Sequence, residues 1–147
     1  MPDHHLSGEA TISQSVSPAE LAVVVVNFDS GEHLRNCISR LGPAAGDTPI
    51  QVVVVDNAST DGSQDGLSDI DPDVLLLENP QNRGYGRACN QGFAATDAPF
   101  VCFLNPDIVP ESDSLWLMLK ALADRPGVGV LGPRLVNPDG STYPSCR

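Results

Sequence analysis

Two strand-like segments of this chain end in a carboxylate. Val101-Cys102-Phe103-Leu104 runs into Asn105-Pro106-Asp107, and Val52-Val53-Val54-Val55 runs into Asp56-Asn57-Ala58-Ser59. Ligands of open α/β sheets sit outside the carboxyl ends of the strands, at a topological switch point, so acids at such ends suit a nucleotide and its metal. Asp56 can accept from a base imide N–H or from ribose hydroxyls, or it can cap the adjoining loop. Asn57, Ser59 and Asp61 suit Asx-type turns. Asp107 is the better metal candidate. Mg²⁺ or Mn²⁺ bridging a diphosphate takes hard oxygen ligands, often only one or two carboxylates, with phosphate and water completing the shell. Asn105 offers a neutral carbonyl and suits positioning Asp107 or a ligand; alone, Asn-Pro-Asp also reads as a helix-initiating turn.

A third segment, Asn82-Arg83-Gly84-Tyr85-Gly86-Arg87-Ala88-Cys89-Asn90-Gln91-Gly92, joins a loop to a helix. Glycines let backbone approach a ligand closely, and a helix N-terminus favours anions. Arg83 or Arg87 can offset diphosphate charge in an acidic chain. The dinucleotide fingerprint would need glycine at Cys89 and a place after the first strand, and neither holds. No P-loop and no G-x-S-x-G nucleophile elbow is present. Phe28, just past the first strand, can stack on a nucleobase or serve as a half-buried core residue.

Hydrophobic periodicity lays out the scaffold behind these residues. Strands are expected over residues 21–28, 50–56, 74–78, 100–105 and 127–133, each a short apolar run. Ser30 is placed to cap a helix in which Leu34, Cys37, Ile38 and Leu41 form one apolar stripe, broken over residues 42–49. A short helix over residues 63–69 is expected, then one from Tyr85 carrying Ala88, Cys89, Gly92 and Phe93 inward. A last helix starts at Pro110, with Leu115, Met118, Leu119 and Leu122 on one face. Asn137-Pro138-Asp139-Gly140 has turn chemistry. Strands alternating with helices imply an α/β fold in three layers, a mostly parallel sheet with helices on both faces.

The 147 residues suit one domain, over residues 21–147, behind a Ser-rich, aperiodic and flexible tail over residues 1–20. A formal net charge of −11 argues against nucleic acid and acidic lipid as partners, since binding either normally needs a basic patch. The four cysteines, Cys37, Cys89, Cys102 and Cys146, form no C-x-x-C pair and read as reduced thiols, mostly in the core. His4, His5 and His33 form no ligand cluster, and His33 falls on the outer face of a helix. No apolar run approaches the ~20 residues of a transmembrane helix, and no signal-peptide layout opens the chain. A soluble, cytoplasmic protein is expected.

Taken in order, Val23-Val24-Val25-Val26-Asn27-Phe28-Asp29, Val54-Val55-Asp56-Asn57-Ala58-Ser59-Thr60-Asp61-Gly62-Ser63, residues 82–92, Phe103-Leu104-Asn105-Pro106-Asp107 and residues 131–141 resemble glycosyltransferase family 2, with its nucleotide-sugar-binding GT-A fold. The Asn-Pro-Asp form and the Gly-Pro…Asp-Gly-Ser-x-Tyr-Pro-Ser ending are similar to the rhamnosyltransferase branch, within it to enzymes that move rhamnose from dTDP-rhamnose onto a polyprenyl-diphosphate-linked acceptor in cell-wall assembly. The resemblance implies a nucleotide-diphosphate sugar as partner, bound through Phe28 and Asp56 at nucleobase and ribose and through Asn82, Gly84, Asn90 and Arg87 along the nucleotide-sugar loop. It implies a divalent metal, Mg²⁺ or Mn²⁺, on Asp107, where Asn105 replaces the first aspartate of the family's Asp-x-Asp motif. Asp29 stands where Asn is more usual and is left out of the site. The family's general base, the aspartate of a Glu-Asp pair, is expected beyond Arg147, so this chain is read as a C-terminally truncated donor half, inactive alone. A lipid-linked acceptor would bring the complete enzyme to the inner membrane face. A non-catalytic binding module, a self-associating homo-oligomer and a nucleotidyltransferase are the rival readings.

Overall fold

In the computed structural model, residues 19–71 and 73–144 are described. All but the last two residues of the expected tail, and Cys146, lie outside them. Four strands form one sheet in the order β3-β2-β1-β4: β1 is Leu21–Asn27, β2 Ile50–Asp56, β3 Leu75–Glu78 and β4 Phe100–Leu104. Every pairing is parallel, and the β1/β2 register sets Asn27 directly beside Asp56. The valine runs are what this position demands. A parallel strand between two helical layers is covered on both faces and so has no polar alternation. All seven residues of β1 are buried, and each buried valine contributes about 1.5–3 kcal/mol relative to an exposed one.

Helix α1 (Glu32–Ala45) and α3 (Ser114–Ala123) cover one face, where Leu34, Ile38, Leu41 and Leu115 meet Val23, Val25, Val52 and Val54. Helix α2 (Tyr85–Phe93) covers the other, packing Ala88 on Val24, Val26, Val53 and Val55. These are the three layers expected. Gly92 makes the close approach of α2 possible: a Cβ there would overlap Val24 Cγ1.

Several local expectations are corrected. Residues 127–133 form no strand; Val130 is 89% exposed, and among the described residues nothing pairs with this segment. The chain turns just beyond it, over residues 136–142. Asn137 N donates to Ser141 O at 2.8 Å, Gly140 takes φ 82°, and Val136 bridges Thr142, as the Asn-Pro-Asp-Gly chemistry implies. The helix expected over residues 63–69 is a turn followed by a single 3₁₀ turn, Leu67–Asp69. The last helix begins at Ser114, not Pro110, and only Leu115 of its four inward candidates is fully buried.

Helix α1 runs through Pro43, losing one N–H near its end while Ala44 and Ala45 stay buried. Ser30 does not cap α1, because its hydroxyl turns back to Asn27 Oδ1. Phe93 is exposed, since α2 meets the sheet through Ala88 and Gly92. The third and fourth strands each end or start within one residue of expectation.

Cys37 is buried, Cys89 and Cys102 are half-buried, and all three are free thiols; His33 is exposed. No helix among the described residues is long and apolar enough to cross a membrane.

Candidate functional site

The chain runs from β1 to β2 and β3 on one side, then crosses to β4 on the other, so the topological switch point lies between β1 and β4. A crevice outside the carboxyl ends of these strands is where such a sheet takes its ligands. Asn27, Asp56 and the Asn105-Pro106-Asp107 tip all fall at those ends.

At the ends of β1 and β2 the polar groups are buried and bonded. Asp56 is 3% exposed; its Oδ1 accepts from Asn27 Nδ2 at 2.8 Å and its Oδ2 from Ser59 N at 3.0 Å. Each carboxylate oxygen therefore keeps a lone pair for another donor. Asn27, fully buried, also reaches Ser63 Oγ at 2.8 Å and Ser59 Oγ at 3.0 Å and accepts from the Ser30 hydroxyl. Asn27 is the residue that sequence reading missed as part of the site. Its signal was present: one amide at the end of a valine run, in register with the acid.

Asp61 and Asp29 complete this wall. Asp61 accepts from Ser63 N at 2.9 Å and Gly31 N at 2.8 Å, and the bonds from Ser63 foremost hold its carboxyl below the usual range. Asp29, at φ 47°, accepts from Thr60 N at 2.7 Å, while its own N–H goes to Ser59 Oγ at 3.0 Å. Asp29 and Asp61 thus tie the loop after β2 to the loop after β1. Phe28 stands beside them, 51% exposed, with its ring free to meet a flat ligand.

The opposite wall is the segment leading into α2. Asn82 is exposed, yet its Oδ1 already accepts from Asn57 Nδ2 and Gly84 N, both at 2.8 Å. That leaves the Asn82 amide nitrogen for a ligand. Gly84 is the N-cap of α2 at φ 82°, a left-handed backbone that suits glycine, and no side chain caps the first turn. The first-turn amides therefore stay open to an anion. Arg83, Arg87 and Asn90 are exposed along this wall.

At the tip of β4, Asn105 and Asp107 are both exposed. Backbone holds this turn: Ile108 N donates to Asn105 O at 3.2 Å, and the Cys37 thiol approaches the same oxygen at 3.9 Å. Burial, with Cys102 and Asp107 adding to it, pushes the Cys37 thiol up to about 12. It stays neutral beneath the tip. Among the described residues no group of three or more His, Cys, Asp or Glu side chains is gathered to hold a metal ion. A lone carboxylate fits Mg²⁺ or Mn²⁺ only where diphosphate oxygens and water supply the rest of the shell.

Parallel topology and acids at two strand ends go with an α/β domain whose fold matches GT-A glycosyltransferases. The chain belongs to glycosyl transferase family 2, whose profile matches residues 22–145. It is 37% identical over 138 residues to the N-acetylglucosaminyl-diphospho-decaprenol L-rhamnosyltransferase of Mycobacterium tuberculosis, covering 86% of this chain and 45% of that protein. It is 27% identical to the pre-mycofactocin glycosyltransferase of the same species, covering 88% and 27%. The chain thus spans less than half the length of these curated relatives.

Among solved structures, the mannosyltransferase PcManGT from Pyrobaculum calidifontis, in complex with GDP-Man and Mn²⁺, superposes with a TM-score of 0.66 at 26% identity, covering 76% of this chain and 36% of that one. S. aureus TarS residues 1–349 share the fold, with a TM-score of 0.63 at 20% identity and 80% and 42% coverage.

Proposed function

We propose that this chain supplies the donor-binding part of an inverting glycosyltransferase, one that transfers rhamnose from dTDP-rhamnose to a glycan or polyprenyl-diphosphate-linked acceptor. Phe28, Asp56, the 82–90 segment and Asp107 all lie at or follow the carboxyl ends of parallel strands in one sheet, and that shared edge carries this reading. Likeness to a rhamnosyltransferase with a diphospho-decaprenol acceptor supports the sugar and the acceptor class. Likeness to a mannosyltransferase holding GDP-Man and Mn²⁺ supports a nucleotide-diphosphate sugar and a divalent metal.

In this scheme Phe28 stacks on the nucleobase, and Asp56 accepts from base or ribose through its unfilled lone pairs. The open first turn of α2, with Asn82, Gly84, Arg87 and Asn90, receives the diphosphate-sugar. Asp107, with diphosphate oxygens, would hold a divalent metal, which stabilises the charge developing on the leaving diphosphate. Transfer is a single displacement. The acceptor oxygen bonds to the anomeric carbon as the bond to the diphosphate breaks; the electron pair leaves with the nucleoside diphosphate and the proton goes to a base. That base is assigned to the part of the family's length that this chain does not span, and the complete enzyme to the cytoplasmic membrane face, where a lipid-linked acceptor lies.

Calorimetric titration with dTDP, UDP and GDP, each with and without Mn²⁺, tests the reading. Binding that prefers dTDP and strengthens with metal is expected; a folded chain that binds none of the three overturns it. One observation favours a second reading, self-association: β4 is an edge strand on which Phe103 is 47% exposed. A dimer that survives dilution and is broken by Phe103→Lys would support it.

A further inference from the structure

We infer that Asn57 is a positioning residue for the donor's diphosphate, clamping residues 79–84 to the end of β2 and so setting the open N-terminus of α2. The inference rests on the donor-site reading above. Asp56 and Asn57 are consecutive, and consecutive side chains of an extended backbone leave on opposite faces. Asp56 accordingly bonds Asn27 and Ser59, whereas every side-chain bond of Asn57 goes to the segment before α2.

Asn57 is 2% exposed, so its amide has no water to fall back on. Its Oδ1 accepts from Arg83 N at 2.9 Å and from Asn79 Nδ2 at 3.4 Å, and its Nδ2 donates to Asn82 Oδ1 at 2.8 Å. Asn82 Oδ1 accepts in turn from Gly84 N at 2.8 Å, which carries the restraint to the N-cap of α2. A brace beside it runs from Asn79 Nδ2 to Gln91 Oε1 at 2.9 Å.

Packing does not fix the cap itself. Gly84 has no side chain, and a Cβ built there would meet nothing within 4 Å. The amide network is what sets where the α2 amides point. Losing Asn57 should therefore loosen the wall that takes the diphosphate while leaving the Asp56 carboxylate, offered to the nucleoside, in place.

The test compares wild type, Asn57→Ala and Asn57→Asp by titration with the nucleoside monophosphate and the nucleoside diphosphate of the base that wild type prefers. Amide hydrogen exchange at Arg83 and Gly84 is followed in the same proteins. In Asn57→Ala, diphosphate affinity should fall about tenfold, monophosphate affinity should stay within about twofold, and both amides should exchange faster. Asn57→Asp keeps an acceptor for Arg83 N and should fall between; if the alanine variant does not fold, the aspartate variant carries the comparison.

Equal loss for both ligands would mean a structural role alone and overturn the inference, as would unchanged exchange at Arg83 and Gly84. Wild type binding no nucleoside diphosphate would instead overturn the donor-site reading, and this inference with it.

Discussion

At the ends of β1, β2 and β3, Asn27, Asp56, Asn57 and Asn79 are buried and joined to the flanking loops by side-chain hydrogen bonds; at the tip of β4, Asn105 and Asp107 are exposed on a turn held by backbone. The difference comes from solvation. A buried polar group without a partner costs roughly 1–3 kcal/mol, so each polar group of the first region must have a partner before any ligand arrives. An exposed carboxylate is already hydrated and needs no partner. On the proposed reading the nucleoside side is thus preorganised, while the metal side would be completed by what binds.

Mutations should break this contrast in opposite ways. Gly92→Val, beneath the preorganised region, drives methyl groups into Val24 and Val55, and should destabilise the fold by about 2–3 kcal/mol in urea unfolding. Asn27→Leu strips partners from Asp56, Ser59 and Ser63 at once and should cost about 2 kcal/mol by the same measurement. Asn105→Ala at the tip should stay within about 0.5 kcal/mol of wild type. If the tip variant lost as much as Asn27→Leu, the contrast between the regions would be wrong. Phe28→Ala, exposed just past the end of β1, should on the proposed reading weaken nucleotide binding by about 1 kcal/mol in calorimetry and leave stability nearly unchanged.

The two regions should also answer pH from opposite ends. The Cys37 thiol under the tip is pushed from its ordinary 9.0 to about 12 by burial, so the folded state keeps a proton that the unfolded chain gives up. The stability this provides is fully present below pH 9 and is lost as pH rises toward about 12. Thermal unfolding across that window should show a decline that Cys37→Ala flattens. The Asp61 carboxyl, held low chiefly by Ser63, acts the other way. Its contribution is present above the ordinary carboxylate value and lost as pH falls through the depressed one. Asp61 is exposed, so this is the smallest effect, seen as a slightly shallower acid limb in Asp61→Asn.

The strands and α1 were legible in the sequence because burial on both faces of a sheet, or on one stripe of a helix, writes itself as valine runs or as the Leu34, Cys37, Ile38, Leu41 spacing. Residues 127–133 carry apolar Val128, Val130 and Leu131 between glycines but have no strand partner among the described residues, and a strand exists only by pairing. Ser30 and Ser63 were misassigned for a shared reason. Each sits where a cap or helix start would be, but both bond Asn27, a buried amide whose demand for partners outweighs local propensity. Asp56, Gly84 and Asp107 were visible as residue types at strand and helix ends. The network through Asn27 and Asn57 was not, since it depends on which loops meet across the sheet.

The most direct test of a preorganised nucleoside site joined to a ligand-completed metal site is a calorimetric comparison of wild type with Asp107→Ala, titrated with dTDP in the presence and absence of Mn²⁺. Metal-free affinity should be the same in both proteins, and the gain on adding Mn²⁺ should appear in wild type and vanish in Asp107→Ala. An equal Mn²⁺ gain in the two proteins would contradict it.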